Sequence, residues 1–108
     1  MVKKMAWRLR AIISKPDIVQ SWFTWMDTEH VPDVLAAGAE SGRLVRIDGD
    51  GPTVFYDIEY VFPSREKLEM YLQNNHPDLR VKGLRRFPPE SGVDYVREAG
   101  VILATYPR

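Results

Sequence analysis

The stretch Thr53-Val54-Phe55-Tyr56-Asp57-Ile58-Glu59-Tyr60-Val61-Phe62 alternates strictly. Val54, Tyr56, Ile58, Tyr60 and Phe62 share one face, while Phe55, Asp57, Glu59 and Val61 share the other. Period two over ten residues predicts a strand with one buried face. Just upstream, Asp48-Gly49-Asp50-Gly51-Pro52 is dense in turn residues and predicts a hairpin with a strand over Arg43–Asp48. Just downstream, Pro63-Ser64 opens a helix. Ser64 is the expected N-cap, Glu66 suits the positive helix end, and Leu68, Tyr71 and Leu72 form the apolar stripe.

The same grammar occurs earlier in the chain. Met5–Ile13 alternates, with Met5, Trp7, Leu9, Ala11 and Ile13 on one face and Ala6, Arg8, Arg10 and Ile12 on the other. Ser14-Lys15-Pro16-Asp17 leads into a helix on which Ile18, Trp22, Trp25, Met26 and Glu29 share a broad face. Each helix then meets a proline element, His30-Val31-Pro32 in the first and His76-Pro77 in the second. Proline disfavours helical geometry at the residue before it, so the first helix is expected to kink or stop at His30-Val31. A short piece over Pro32–Ala37 follows, with Gly38 as its cap. Val93–Leu103 is the last strand, with a bulge expected near Gly100.

The order is β-α-β-β-α-β. Right-handed crossovers around a central hairpin give a four-stranded antiparallel sheet, spatial order four-one-three-two, with both helices on one face. This is an α+β, ferredoxin-like arrangement, expected as a single domain over residues 1–108. In that order the strands carrying Arg8 and Arg10 and those carrying Asp57 and Glu59 are neighbours, so their charges are expected to pair. The same sheet face holds Ala6, Ile12, Phe55 and Val61, too apolar to leave open. A two-fold homodimer through that face is the symmetric solution.

Composition narrows function mostly by exclusion. Fifteen basic and fifteen acidic residues cancel, so no global field favours nucleic acid or an anionic membrane. The chain has no cysteine, which removes disulfides and thiolate chemistry and points to a reducing, cytoplasmic setting. No apolar run approaches the ~18 residues of a spanning helix. Arg8 and Arg10 interrupt what would otherwise follow Lys3-Lys4 as a signal sequence. There is no phosphate-cradling glycine loop and no Gly-x-Ser-x-Gly, and Asp48–Gly51 lacks the later ligands of a calcium loop. No cofactor or metal is expected.

Two runs carry a family resemblance. One is Trp22-Phe23-Thr24-Trp25-Met26 continuing to His30-Val31-Pro32-Asp33-Val34 and Gly38. The other is Tyr56-Asp57-Ile58-Glu59-Tyr60 continuing through Phe62-Pro63-Ser64 to Pro77-Asp78-Leu79-Arg80 and Arg86-Phe87. Over residues 7–103 the chain resembles an uncharacterised bacterial family, domain of unknown function 4286. The resemblance implies the dimeric α/β-barrel superfamily, in which two ferredoxin-like subunits press their open sheet faces together. It implies no activity; the wider superfamily includes cofactor-free monooxygenases, isomerases and simple binders.

The candidate chemistry centres on His30. It is either a general acid or base, or a helix-end residue bonding carbonyls freed at the proline. Trp22 and Trp25, one turn apart, are core residues, with Trp25 also placed to wall a pocket. Arg80, Lys82, Arg85 and Arg86 read as cations in a helix's last turns. The expected ligand site lies between the broken helices and the polar sheet face, with Trp25 and His30 on one side and Arg10 and Glu59 offering charge if the gap reaches through to the open face of the sheet. Two functions remain open. One is a small dimeric module, non-catalytic or binding a small organic ligand; the other is a cofactor-independent monooxygenase- or isomerase-like enzyme using His30 as acid/base.

Overall fold

The computed structural model describes residues 2–108. Strands β1 (Met5–Ile13), β2 (Ser41–Ile47), β3 (Val54–Phe62) and β4 (Val93–Val101) form one antiparallel sheet in the order β2-β3-β1-β4. Helices α1 (Val19–Trp25) and α2 (Val31–Ala36) connect β1 to β2, while α3 (Arg65–Asn74) and α4 (His76–Arg86) connect β3 to β4. This is the ferredoxin-like α+β fold expected from the doubled pattern.

Alternation decides which face of the sheet is covered. Met5, Leu9, Ala11 and Ile13 of β1 are buried, as are Tyr56, Ile58, Tyr60 and Phe62 of β3. Trp22, Met26, Val34, Leu68 and Tyr71 from the helices close over them. Trp22 is fully buried, packs on Tyr56 at 4.9 Å between ring centroids, and donates its indole N–H to the Tyr95 hydroxyl at 2.9 Å. The Ser64 hydroxyl accepts the Lys67 backbone N–H at 3.1 Å, the expected cap of α3. Gly38 ends α2 at φ 127°, a left-handed conformation that costs glycine little.

Two details depart from expectation. The first helix does not stop before Pro32; the interruption takes another form. A π-helical turn over Met26–His30 links α1 to α2, and the Val31 N–H donates to the Met26 carbonyl, five residues back. The wider turn carries the chain past the residue that lacks an N–H, and Val31 stays helical at φ −61°, ψ −47°. The second helix does break, at Asn75 (φ −117°, ψ −42°). Strand β4 has no bulge near Gly100. Its pairing with β1 runs unbroken from Val93 opposite Ile13 to Val101 opposite Met5.

Candidate functional site

The helix layer does not fill the space over the β1–β4 side of the sheet. A cavity of about 40 Å³ remains there, enough to hold a water molecule or a small polar head. Its floor follows from the register. Trp7 stands opposite Tyr60 of β3, Leu9 opposite Arg97 of β4, and Ala11 opposite Tyr95. Its roof comes from the two helix interruptions. The π turn supplies Met26 and His30 beside Trp25, and the α3–α4 junction supplies Tyr71 and His76. Gly83 and the exposed Leu84 and Arg80 of α4 stand at its margin.

His30 is held against the Trp25 indole, the rings stacked with centroids 4.8 Å apart and planes 28° from parallel. Burial lowers its pKa to about 4, with His76 and Arg97 pushing the same way and Asp33 opposing. The imidazole is therefore neutral at physiological pH. His76 lies edge-on to Trp7 at 5.6 Å and beside Tyr71 at 5.8 Å; burial lowers its pKa too, helped by Arg97 and Arg80.

Tyrosines supply the remaining polar groups. The Tyr60 hydroxyl is buried and has no hydrogen-bond partner. Burial raises the pKa of Tyr60 and raises that of Tyr71 to about 12, so both phenols keep their protons. Tyr95 accepts from Trp22, and the half-buried Arg97 guanidinium lies over its ring at 4.9 Å. Glycine at 83 has a packing reason: a Cβ there would stand 3.3 Å from the Trp25 ring, tight enough to press that wall inward.

The structure brings Trp25 and His30 together and separates them from Arg10 and Glu59. Those two sit on the opposite, open face of the sheet, because successive residues of a strand alternate sides. There Arg10 grips Asp57 through two bonds of 2.6 and 2.9 Å, which hold the Asp57 carboxyl below the usual range. Arg8 lies 3.4 Å from Glu59 and 3.7 Å from Glu98, and Arg43 lies 3.8 Å from Glu59. These are the expected cross-strand pairs. They line a concavity of the bare sheet, on the other side of the strands from the helix-side cavity.

Sequence reasoning missed His76, Tyr60, Tyr95 and Arg97 as cavity residues and left Arg80 to the helix end. A usable signal existed for Arg97. Val93 and Tyr95 share its phase on β4, so an arginine falls among inward-facing positions. No group of three His, Asp or Glu side chains stands close enough to hold a metal ion among the described residues.

Comparison with known proteins fixes the family. Residues 10–92 match the family defined by a domain of unknown function, DUF4286. The chain belongs to this family. Among curated proteins none matches it. Among solved structures it is similar to a dimeric ferredoxin-like protein from an uncultured marine organism, at 10% identity and TM-score 0.72, covering 97% of this chain and 99% of that one. It is also similar to a protein of unknown function from Nitrosomonas europaea, at 14% identity and TM-score 0.65, with 99% and 96% covered. A third is a mutant form of SnoaB, a cofactor-independent oxygenase from Streptomyces nogalater, at 13% identity and TM-score 0.64, with 98% and 99% covered. At these identities the likeness is one of fold. No helix among the described residues is long and apolar enough to cross a membrane.

Proposed function

We propose that this DUF4286 chain works as one ferredoxin-like domain, pairs with a second copy through its open sheet face, and binds a small organic molecule in the helix-side cavity of each subunit. One observation carries the binding reading. Two neutral imidazoles, the half-buried Arg97 and aromatic rings line one cavity, and the Tyr60 side chain, whose buried hydroxyl has no partner among the protein groups, lines it too. An unsatisfied buried hydroxyl costs about 1–3 kcal/mol.

The open face supports the pairing. Its arginines and carboxylates are already matched in register, and Val45, Ile47 and Val96 stand exposed among them. The dimeric marine protein supplies a precedent for the fold, not for these residues. On this reading Arg10 and Glu59, expected from sequence at the ligand, serve the interface instead. The cysteine-free composition fits a cytoplasmic setting.

Catalysis is the second reading, favoured by His30. An imidazole kept neutral down to about pH 4 is available as a proton acceptor beside an aromatic wall. Thermal-shift screening of the dimer against a metabolite library tests both. A hit that stabilises the protein and is returned chemically unchanged, with His30→Gln weakening its binding, supports the binder. A hit converted to product, with His30→Gln abolishing turnover but not binding, supports the enzyme. A library that yields no hit at millimolar concentration overturns the ligand-binding reading.

A further inference from the structure

The charges of the cavity lining do not balance. Arg97 and Arg80 both line it, and no aspartate or glutamate does. The acidic neighbours of Arg97 on β4 are Asp94 and Glu98, and both fall on the open face, Glu98 against Arg8. None of the ion pairs among the described residues involves Arg97 or Arg80. A fully buried guanidinium requires a partner, and this half-buried one has part of its fork turned from water with no carboxylate to meet it. Here it has the face of Tyr95 and the nearby like charge of Arg80.

The neutral groups around Arg97 are biased towards donation. Tyr60 and Tyr71 keep their phenolic protons, and the Tyr60 hydroxyl has nothing to give its proton to. Tyr95 already accepts from Trp22, which leaves its own O–H to donate elsewhere. The remaining lining is flat and apolar, with the Trp7 and Trp25 rings among it. The half-buried Arg97 fork, with the exposed Arg80 at the margin, tyrosines and aromatic walls, matches a planar, two-oxygen anion on a flat apolar body.

Resting on the reading of this cavity as a ligand site, we propose that its occupant is a small organic carboxylate, received by the Arg97 guanidinium. The carboxylate head is of a size for the cavity, and the body extends towards Leu84 and Arg80 at the exposed margin. A tetrahedral phosphate dianion fits less well, because the lining offers a single half-buried guanidinium and no backbone N–H nest.

The test titrates the intact protein with benzoate, benzamide and inorganic phosphate, read by quenching of Trp7 and Trp25 and by calorimetry. Benzoate is expected to bind at least about tenfold more tightly than its neutral isostere benzamide. Arg97→Gln is expected to remove that preference, weakening benzoate about tenfold or more and benzamide far less. Benzamide binding as well as benzoate, with Gly83→Leu blocking both, overturns the carboxylate and leaves the cavity as a site for neutral molecules. Phosphate binding as tightly as benzoate, and lost in Arg97→Gln, also overturns the carboxylate. Benzoate binding undiminished in both Gly83→Leu and Arg97→Gln places it elsewhere and overturns site and ligand class together. Failure of all three probes to bind overturns the proposed class.

Discussion

The two faces of one sheet treat polar side chains in opposite ways. On the open face each arginine of β1 meets a carboxylate at its own register position, Arg10 with Asp57 and Arg8 with Glu59 and Glu98. On the helix face Arg97 lacks a carboxylate, Tyr60 lacks a hydrogen bond, and His30 and His76 are kept neutral. Pairing of the strand arginines suits a surface that is to be covered, since a buried charge without a partner is costly. Incomplete pairing suits a surface that is to receive something. The distinction depends on where the helices run. They seal the β3 side with Trp22, Leu68 and Tyr71 and leave a cavity between their interruptions and the β1–β4 side.

The largest predicted effect tests whether the helix face is also where stability resides. Trp22→Ala removes a fully buried ring and the donor to Tyr95, and is expected to cost about 3–5 kcal/mol in urea unfolding. Val96→Ala on the open face, 56% exposed, is expected to change stability by about 0.5 kcal/mol or less in the isolated subunit. Equal losses would mean that the open face is already buried, in a dimer too tight to separate from folding.

Next in size is the pH response of the helix face. His30 titrates near 6.5 when unfolded and at about 4 when folded. Between those values the unfolded chain binds the proton and the folded one does not, so stability falls as pH drops from 6.5 to 4 and is unaffected above. The loss from this group is up to about 3 kcal/mol. His76, also lowered by burial, adds in the same direction. Asp57 on the open face is depressed by Arg10, and its contribution disappears only at lower pH, as the carboxyl protonates. Thermal melts from pH 8 to pH 4 on wild type and His30→Gln separate the two faces. A slope between pH 6.5 and 4 that survives unchanged in His30→Gln would contradict the assignment.

The open face answers to charge reversal rather than to pH. Asp57→Arg sets a second guanidinium beside Arg10 and Val45. If two copies close over this face, the dimer dissociation constant is expected to rise about tenfold or more, as like charges are forced together. Light scattering reads this as a shift towards the 12.5 kDa subunit at micromolar concentration. Wild-type protein already at 12.5 kDa would remove the interface.

How much of this contrast was legible in the sequence depends on the range of the interactions that create it. The strands and the faces of their residues were legible because period-two alternation is local, and strand order made Arg8 and Arg10 neighbours of Asp57 and Glu59, while the register that joins Arg10 to Asp57 came with the fold. The Ser64 cap was legible for the same reason. The path of the first helix was not. A rule about the residue before proline predicts a break at Val31, but burial of Trp25, Met26 and Val34 on both sides of it favours continuity, and the π turn reconciles the two. The site was half legible. Trp25 and His30 are five residues apart in sequence and stack. His76, Tyr60 and Arg97 reach the cavity from three other elements, and only the assembled fold brings them there. Arg10 and Glu59 entered the expected site only on the condition that the gap reached through the sheet, and they stand on its far face, where the alternation puts them.

The smallest effect discriminates most finely, because it compares two tyrosines on the helix face itself. Tyr95 has a hydrogen bond and Tyr60 has none. Tyr95→Phe leaves the Trp22 indole N–H without its acceptor in a buried position, so a loss of about 1 kcal/mol is expected. Tyr60→Phe removes a hydroxyl that was desolvated for nothing, so stability is expected to hold or rise by about 1 kcal/mol in the ligand-free protein. Packing changes little in either case, since the ring is kept. The two variants therefore differ in sign, not only in size. If Tyr60→Phe destabilised the free protein as Tyr95→Phe does, its hydroxyl would already be satisfied, by ordered water or a neighbouring group, and the helix face would be as fully paired as the open one. A rise in the free protein, together with a loss of the stabilisation that a bound ligand confers, is the pattern of a hydroxyl kept for a partner that the chain itself does not supply.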